Sequence, residues 1–327
     1  MSAIKILDVE KISLVRDDIS PEDVADVGAE ISDAFQHIGF AYIKNHGIPQ
    51  DVIDNAFKSS LSFFKLEDEV KSMYPKGGDY QGWVCEGREI FDQDEDGKIA
   101  DHEVRETYDL LNISSGGKFP DKDCPTLRPA LVKLGELSVK LSLRILQCIS
   151  VSLNQDPEYL LNQHQGVLDQ GIGDIATNGS TLRSIHYPPI SEDEARPGIV
   201  RCGEHSDYGT FTLLFQDDMG GLEAKSVDGS WVLADPVPGT ILMNVGDLLE
   251  NITAGRFQAT RHRVRIPEEE LRRKCARQSI AFFVHPDDEV LCEPLSGPDS
   301  RYPPVTAKQH LYNRLSATYG AAMMEQK

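Results

Sequence analysis

His205-Ser206-Asp207, followed by Thr212-Leu213-Leu214-Phe215-Gln216-Asp217, is the stretch whose reading decides how this chain folds. The second part is an apolar run with polar borders, the mark of a short buried strand. His205 and Asp207 are two positions apart, and on extended backbone such side chains point the same way. Both can then face one ion. A third ligand must come from another strand, and His262 sits in Thr260-Arg261-His262-Arg263-Val264, a strand-like segment after the turn near Ala254-Gly255. So wide a separation suits a jelly roll, where strands distant in sequence become neighbours.

The rest of the C-terminal half agrees. Short apolar runs at Thr210–Phe215, Thr240–Val245 and Ser279–Val284 are separated by Gly, Asp and Pro, as in an antiparallel sandwich or barrel. The N-terminal third reads as helical. Ser20-Pro21-Glu22-Asp23 is a start signal, Val24, Val27, Ile31, Ala34, Phe35 and Ile38 keep helical spacing, and Gly39 ends the helix. Phe40 to Lys44 reads as a strand turned by Asn45-His46-Gly47, and a second helix follows Pro49. Residues 75–123 read as loops and short strands. Thr126 to Leu153 is the strongest helix, with Leu131, Leu134, Leu141, Ile145 and Ile149 on one face, and a last helix covers Ala307 to Tyr319. We expect an N-terminal region over 1–123 and a core over 124–327, folded as one compact unit.

Bulk composition excludes several functions. The 327 residues include 33 basic and 53 acidic side chains, a net charge of -20. Such a surface argues against sequence-independent binding to nucleic acid or to anionic membranes. No apolar run approaches the roughly 20 residues of a membrane span, and the N-terminus lacks the pattern of a secretory signal. The 6 cysteines are scattered without a Cys-x-x-Cys pair, which reads as reduced thiols in a cytoplasmic protein.

Two imidazoles and one carboxylate on one face of a metal are the ligand set of non-haem iron(II) sites, which leave the other positions open. Zinc also accepts these donors, but a zinc hydrolase wants a glutamate base, and Glu204 should point away from its strand neighbour His205. His37, His46, His102, His164, His186, His285 and His310 have no comparable partners and read as structural or exposed. Arg277 and Ser279 share strand parity, with Ala281 and Phe283 next on that side. A buried guanidinium needs an anion. A dicarboxylate fits, with one end on the metal and the other on Arg277, and Tyr187 in Arg183-Ser184-Ile185-His186-Tyr187-Pro188-Pro189 could add a phenol donor.

Taken together these motifs resemble the plant-type, isopenicillin N synthase-like family of iron(II)/2-oxoglutarate oxygenases. Gly39-Phe40 through Asn45-His46-Gly47-Ile48, Tyr187-Pro188-Pro189, the His205–Asp217 segment, Asn244-Val245-Gly246-Asp247, His262-Arg263-Val264 and Arg277-Gln278-Ser279 carry the likeness, in the family's order and over nearly the whole chain. The resemblance implies a mixed α/β (α+β) fold with a double-stranded β-helix, or jelly-roll, core flanked by helices. It implies iron(II), 2-oxoglutarate and O2, with ascorbate as a supporting reductant. It implies His205, Asp207 and His262 as metal ligands, no further catalytic side chain, and Arg277, Ser279 and Tyr187 as contacts to the co-substrate. The implied activity is oxidation of an unactivated C–H bond of a small molecule, by hydroxylation, desaturation or ring closure, with an amino acid or specialised metabolite as substrate. Tyr80, Tyr108, Phe211 and Phe283 are the expected walls of the substrate pocket. The chain departs from many plant members at His186, where they have asparagine, and at Ile190-Ser191, where they have Cys-Pro. Three alternatives stay open from sequence: an O2-using oxidase that does not consume 2-oxoglutarate, a catalytically dead binding module, and a zinc hydrolase.

Overall fold

The computed structural model describes residues 4–77, 81–88, 102–111, 119–168, 178–191, 199–266, 274–297 and 301–319. With strands numbered in chain order, the larger sheet runs β1 (Lys5–Asp8), β2 (Phe40–Lys44), β12 (Thr240–Val245), β9 (Phe211–Gln216), β14 (Arg277–Val284), β6 (Thr181–Tyr187), β5 (Glu106–Leu111) and β3 (Gly82–Val84). The smaller sheet runs β11 (Trp231–Leu233), β10 (Leu222–Lys225), β13 (His262–Val264) and β8 (Cys202–His205). Two short pairs complete the set, β4 (His102–Glu103) with β7 (Ile199–Val200) and β15 (Leu291–Cys292) with β16 (Val305–Thr306). Within the larger sheet every pair is antiparallel except β1 with β2. This is the expected mixed α/β architecture around a jelly-roll core.

Strand alternation divides the interior into two cores. On β14, Ile280, Phe282 and Val284 join Phe211, Leu213 and Phe215 of β9 beneath the helix Leu127–Ser152. Leu131, Leu134, Leu141 and Ile145 of that helix are wholly buried, and each contributes roughly 2 kcal/mol. The opposite face of the larger sheet meets the smaller one. There Phe40, Tyr42, Ile185, Tyr187 and Leu242 pack with Cys202, Leu222, Ala224 and Val264. The site is built on this second, inner face.

The N-terminal elements follow their sequence signals. Ser20 Oγ accepts from the Asp23 N–H at 3.1 Å, and the Asp23 carboxylate accepts from the Ser20 N–H at 3.0 Å, a reciprocal cap on the helix Pro21–His37. Gly39 ends that helix with φ +66°, and a Cβ there would lie 2.1 Å from the Gln258 carbonyl oxygen. A second helix spans Gln50–Phe64, and the last helix spans Ala307–Tyr319 as the pattern predicts.

The described part of residues 75–123 holds loops and the short strands β3, β4 and β5, as the sequence reading expects. β5 pairs along its whole length with β6 in the larger sheet. Thr107 and Asp109 point inward while Tyr108 and Leu110 join the outer core, so this strand alternates with its polar side toward the interior. The buried Asp109–Arg183 pair compensates, with the guanidinium donating to both carboxylate oxygens at 2.7 Å. All 6 cysteines are free thiols. Among the described residues no helix is long and apolar enough to cross a membrane.

Candidate active site

His205 closes β8, and His262 opens β13 directly opposite it in the ladder. Asp207 lies just past the end of β8, where the chain enters a bend, and its carboxylate comes back beside the imidazoles. Backbone bonds pin that bend. The Asp247 N–H donates to the Asp207 carbonyl at 2.8 Å and the Gly246 N–H to the Thr210 carbonyl at 3.0 Å. This approach requires glycine at 246, where a Cβ would meet the Gly209 carbonyl oxygen at 2.3 Å.

The three side chains converge. One ligand atom from each lies within 4.8 Å of the others. Asp207 Oδ1 is 3.9 Å from His205 Nε2 and 3.7 Å from His262 Nε2. Each imidazole is oriented from behind, since His205 Nδ1 is 2.8 Å from the Gly203 carbonyl oxygen and His262 Nδ1 is 3.1 Å from that of Thr260. A carbonyl can only accept, so both Nδ1 atoms carry the proton and both Nε2 lone pairs face the centre. Burial, reinforced by the neighbouring His262, pushes the His205 imidazole well below its ordinary range, toward the neutral form that binds metal. Asp207 is held just as firmly. Its Oδ2 accepts from Thr212 Oγ1 at 2.6 Å and from Asn244 Nδ2 at 2.7 Å, which leaves Oδ1 for an ion. The donor set fits a divalent metal.

Glu204 points elsewhere. Arg261 Nε and Lys225 Nζ donate to its Oε1 at 2.7 and 3.3 Å, so it offers no base beside the centre. A zinc hydrolase would lack its expected proton acceptor.

On the inner face of the larger sheet, Arg277 of β14 stands opposite Tyr187 of β6, with its guanidinium carbon 4.8 Å from the phenol ring centroid. Arg277 is wholly buried and donates to the Gly220 carbonyl at 2.9 Å, to Ser279 Oγ at 3.3 Å and to Gln216 Oε1 at 3.2 Å. Arg277, Ser279 and Tyr187 thus gather into one buried polar group. Phe283 lies farther along that face of β14, half-buried, with the Arg183 guanidinium carbon 5.9 Å from its ring centroid.

Two of the expected pocket walls turn the other way. Tyr108 packs on Phe63 and Phe119 in the outer core, and Phe211 belongs to the same core beneath the long helix. Strand parity places both side chains on the outer face of the larger sheet, which corrects the sequence reading. Tyr80 lies outside the described residues. His186 also faces outward, stacked on Phe64 and 3.1 Å from Glu106 Oε1. Sequence reasoning passed over Thr212, Asn244, Gln216 and Arg201. Their signal was present in part, since Thr212 and Asn244 are polar residues within apolar runs and Gln216 directly follows one.

Comparison with known proteins agrees with this geometry. The family model of the 2OG-Fe(II) oxygenase superfamily matches residues 178–286, and that of the non-haem dioxygenase in morphine synthesis N-terminal region matches residues 4–126. The chain is 31% identical over 310 residues to the 2-oxoglutarate-dependent dioxygenase gloF of Glarea lozoyensis, covering 86% of this chain and 90% of that protein. The chain belongs to the 2OG-Fe(II) oxygenase superfamily. It is also 32% identical to the UPF0676 protein C1494.01 of Schizosaccharomyces pombe, over 93% of this chain and 92% of that one. Among solved structures, a full-length Neurospora crassa protein crystallised in complex with alpha-KG and thymine superposes with a TM-score of 0.79 at 27% identity, over 96% of each chain. As a superfamily member this oxygenase is an oxidoreductase that uses iron(II), 2-oxoglutarate and O2.

Proposed function

We propose that this oxygenase oxidises a C–H bond of a small polar molecule, with His205, Asp207 and His262 as the three protein ligands of iron and Arg277, Ser279 and Tyr187 as the seat of the 2-oxoglutarate distal carboxylate. The observation that carries the reading is the convergence of three ligand atoms within 4.8 Å on the smaller sheet, facing the side of the larger sheet that carries a wholly buried arginine. Iron(II) with 2-oxoglutarate and O2 supplies C–H oxidation coupled to decarboxylation of the co-substrate. The chain's own residues do the rest. The Gly203 and Thr260 carbonyls fix the imidazole tautomers, and Thr212 with Asn244 fixes the carboxylate. Arg277 supplies a permanent charge where a dicarboxylate ends, and its burial shields that charge from water.

Arg183 and Asp109 lie on the same inner face, and they favour a polar substrate over a lipid. Thymine in the Neurospora neighbour is one substrate-sized molecule held by this fold. In this reading the whole chain works as one unit in the cytoplasm, with no nucleic-acid or membrane partner. The test is a panel of small polar molecules incubated with the iron(II) enzyme, 2-oxoglutarate and O2. The reading expects succinate release stimulated by the true substrate, with hydroxylated, desaturated or cyclised product in equal amount. Product formed without any 2-oxoglutarate would favour the oxidase alternative instead.

A further inference from the structure

Arg201 and Arg277 are the two largest side chains that are completely buried among the described residues. Their surroundings do not balance two positive charges. Arg201, just before β8, donates from one terminal nitrogen to the Cys275 carbonyl at 3.0 Å. Its Nε and its other terminal nitrogen have no hydrogen-bond partner among the described residues. Arg277 spends its donors on a carbonyl, a hydroxyl and an amide, all of them neutral.

The two groups belong to one neighbourhood, since Arg201 donates to the carbonyl of Cys275, two residues before Arg277, and its chain neighbour Cys202 packs with Tyr187 in the inner core. Burial, and then the Arg277 charge, push the Arg201 guanidinium below its usual value, while Tyr187 acts in the opposite sense. Arg277 covers the Tyr187 ring, with its guanidinium carbon 4.8 Å from the centroid. Asp217 acts on both but compensates poorly. Its carboxylate already accepts from the backbone N–H groups of Gln278 and Met219, and burial pushes its carboxyl up. Two buried guanidinium groups in one neighbourhood, with spare donors, are strongly unfavourable unless an anion joins them.

We propose that Arg201 is a second cationic contact of the co-substrate seat, and that with Arg277 it grips the distal carboxylate of 2-oxoglutarate and selects a dicarboxylate over a monocarboxylate 2-oxo acid. This deepens the proposed function and rests on its placement of the co-substrate beside Arg277. A planar guanidinium with two open donors matches a carboxylate in a way that a lysine ammonium does not.

The test is anaerobic titration calorimetry on protein loaded with Mn(II), a redox-inert stand-in for iron(II). Arg201→Met should weaken 2-oxoglutarate binding at least about tenfold, the scale of a lost charge-assisted hydrogen bond. Binding of 2-oxopentanoate, which lacks the distal carboxylate, should change less than about twofold, because the lost contact is absent from that ligand. Arg201→Lys should recover part of the loss. The rise in unfolding temperature on adding 2-oxoglutarate should shrink in the same order. Wild-type affinity for 2-oxoglutarate in Arg201→Met would overturn the proposal, as would an equal loss for both ligands. Should Arg201→Met fail to fold, Arg201→Gln takes its place under the same criteria. Arg277→Leu serves as the control. A loss there without one at Arg201 sinks this inference alone, whereas no loss at either position sinks the co-substrate seat itself.

Discussion

His262 stands directly across the β8–β13 ladder from His205, and the two imidazole centroids are 4.3 Å apart. Backbone pairing therefore sets the spacing of the two nitrogen ligands. The register shifts between His262 and Val264, so the irregularity falls beside the site rather than through it. Phe40 of β2 packs edge-on against the His262 ring at 5.5 Å between centroids, which limits its rotation.

The hold on Asp207 gives a first prediction. Thr212 and Asn244 both donate to its Oδ2. Asn244→Leu should weaken iron(II) affinity by roughly 10- to 100-fold without unfolding the protein, the usual scale for groups that orient a ligand. Competition with a coloured chelator measures it, and wild-type affinity in this variant would show that Asp207 needs no such support.

Arg277 should act through the co-substrate. Arg277→Leu should raise the 2-oxoglutarate concentration needed for half-maximal turnover by about 100-fold, while the requirement for the primary substrate changes little. Initial rates of succinate formation over a range of both compounds separate the two effects. An unchanged 2-oxoglutarate requirement would remove Arg277 from the seat.

Asp109 anchors β5 to β6 and gives a stability prediction. Burial alone would raise its carboxyl, but the charges of Arg183 and Lys76 outweigh burial and hold it at about 2. Asp109→Asn would leave two cations without their shared carboxylate, so it should destabilise the fold by about 3 kcal/mol. Urea unfolding measures the change, and a loss below about 1 kcal/mol would show that solvent already screens the cluster.

His164 supplies a pH dependence. It is fully buried, with Nδ1 2.6 Å from the Leu160 carbonyl oxygen and Nε2 2.8 Å from Thr210 Oγ1. Burial lowers it from the ordinary 6.5 to about 4. Between these values the unfolded chain binds more protons than the folded chain, so the contribution is complete above pH 6.5 and is lost as pH falls toward 4. In metal-free protein, stability should therefore fall from pH 7 to pH 5 more steeply in the wild type than in His164→Gln. Equal slopes in urea titrations at the two pH values would contradict this.

Much of the site was legible because its chemistry is local in sequence. His205 with Asp207, and Arg277 with Ser279, each sit two residues apart, and His262 had a strand around it. What stayed hidden depended on which face of a sheet is which. Both faces of the larger sheet are buried, one under helices and one around the site, and the site face is the more polar. Aromatic residues at Tyr108 and Phe211 read as pocket walls when in fact they serve the helix layer, while Thr212 and Gln216 between them carry the inner face. Arg201 gave no signal at all, because nothing in a sequence distinguishes a buried arginine without a partner from one on the surface.

The most direct test of the central claim is anaerobic iron(II) binding by the wild type and by His262→Ala, followed by calorimetry with circular dichroism as the check on folding. The account predicts one iron(II) per chain in the wild type, no measurable binding at the same concentrations in a folded His262→Ala, and loss of turnover with it. A folded His262→Ala protein that binds one iron(II) as tightly as the wild type would contradict it.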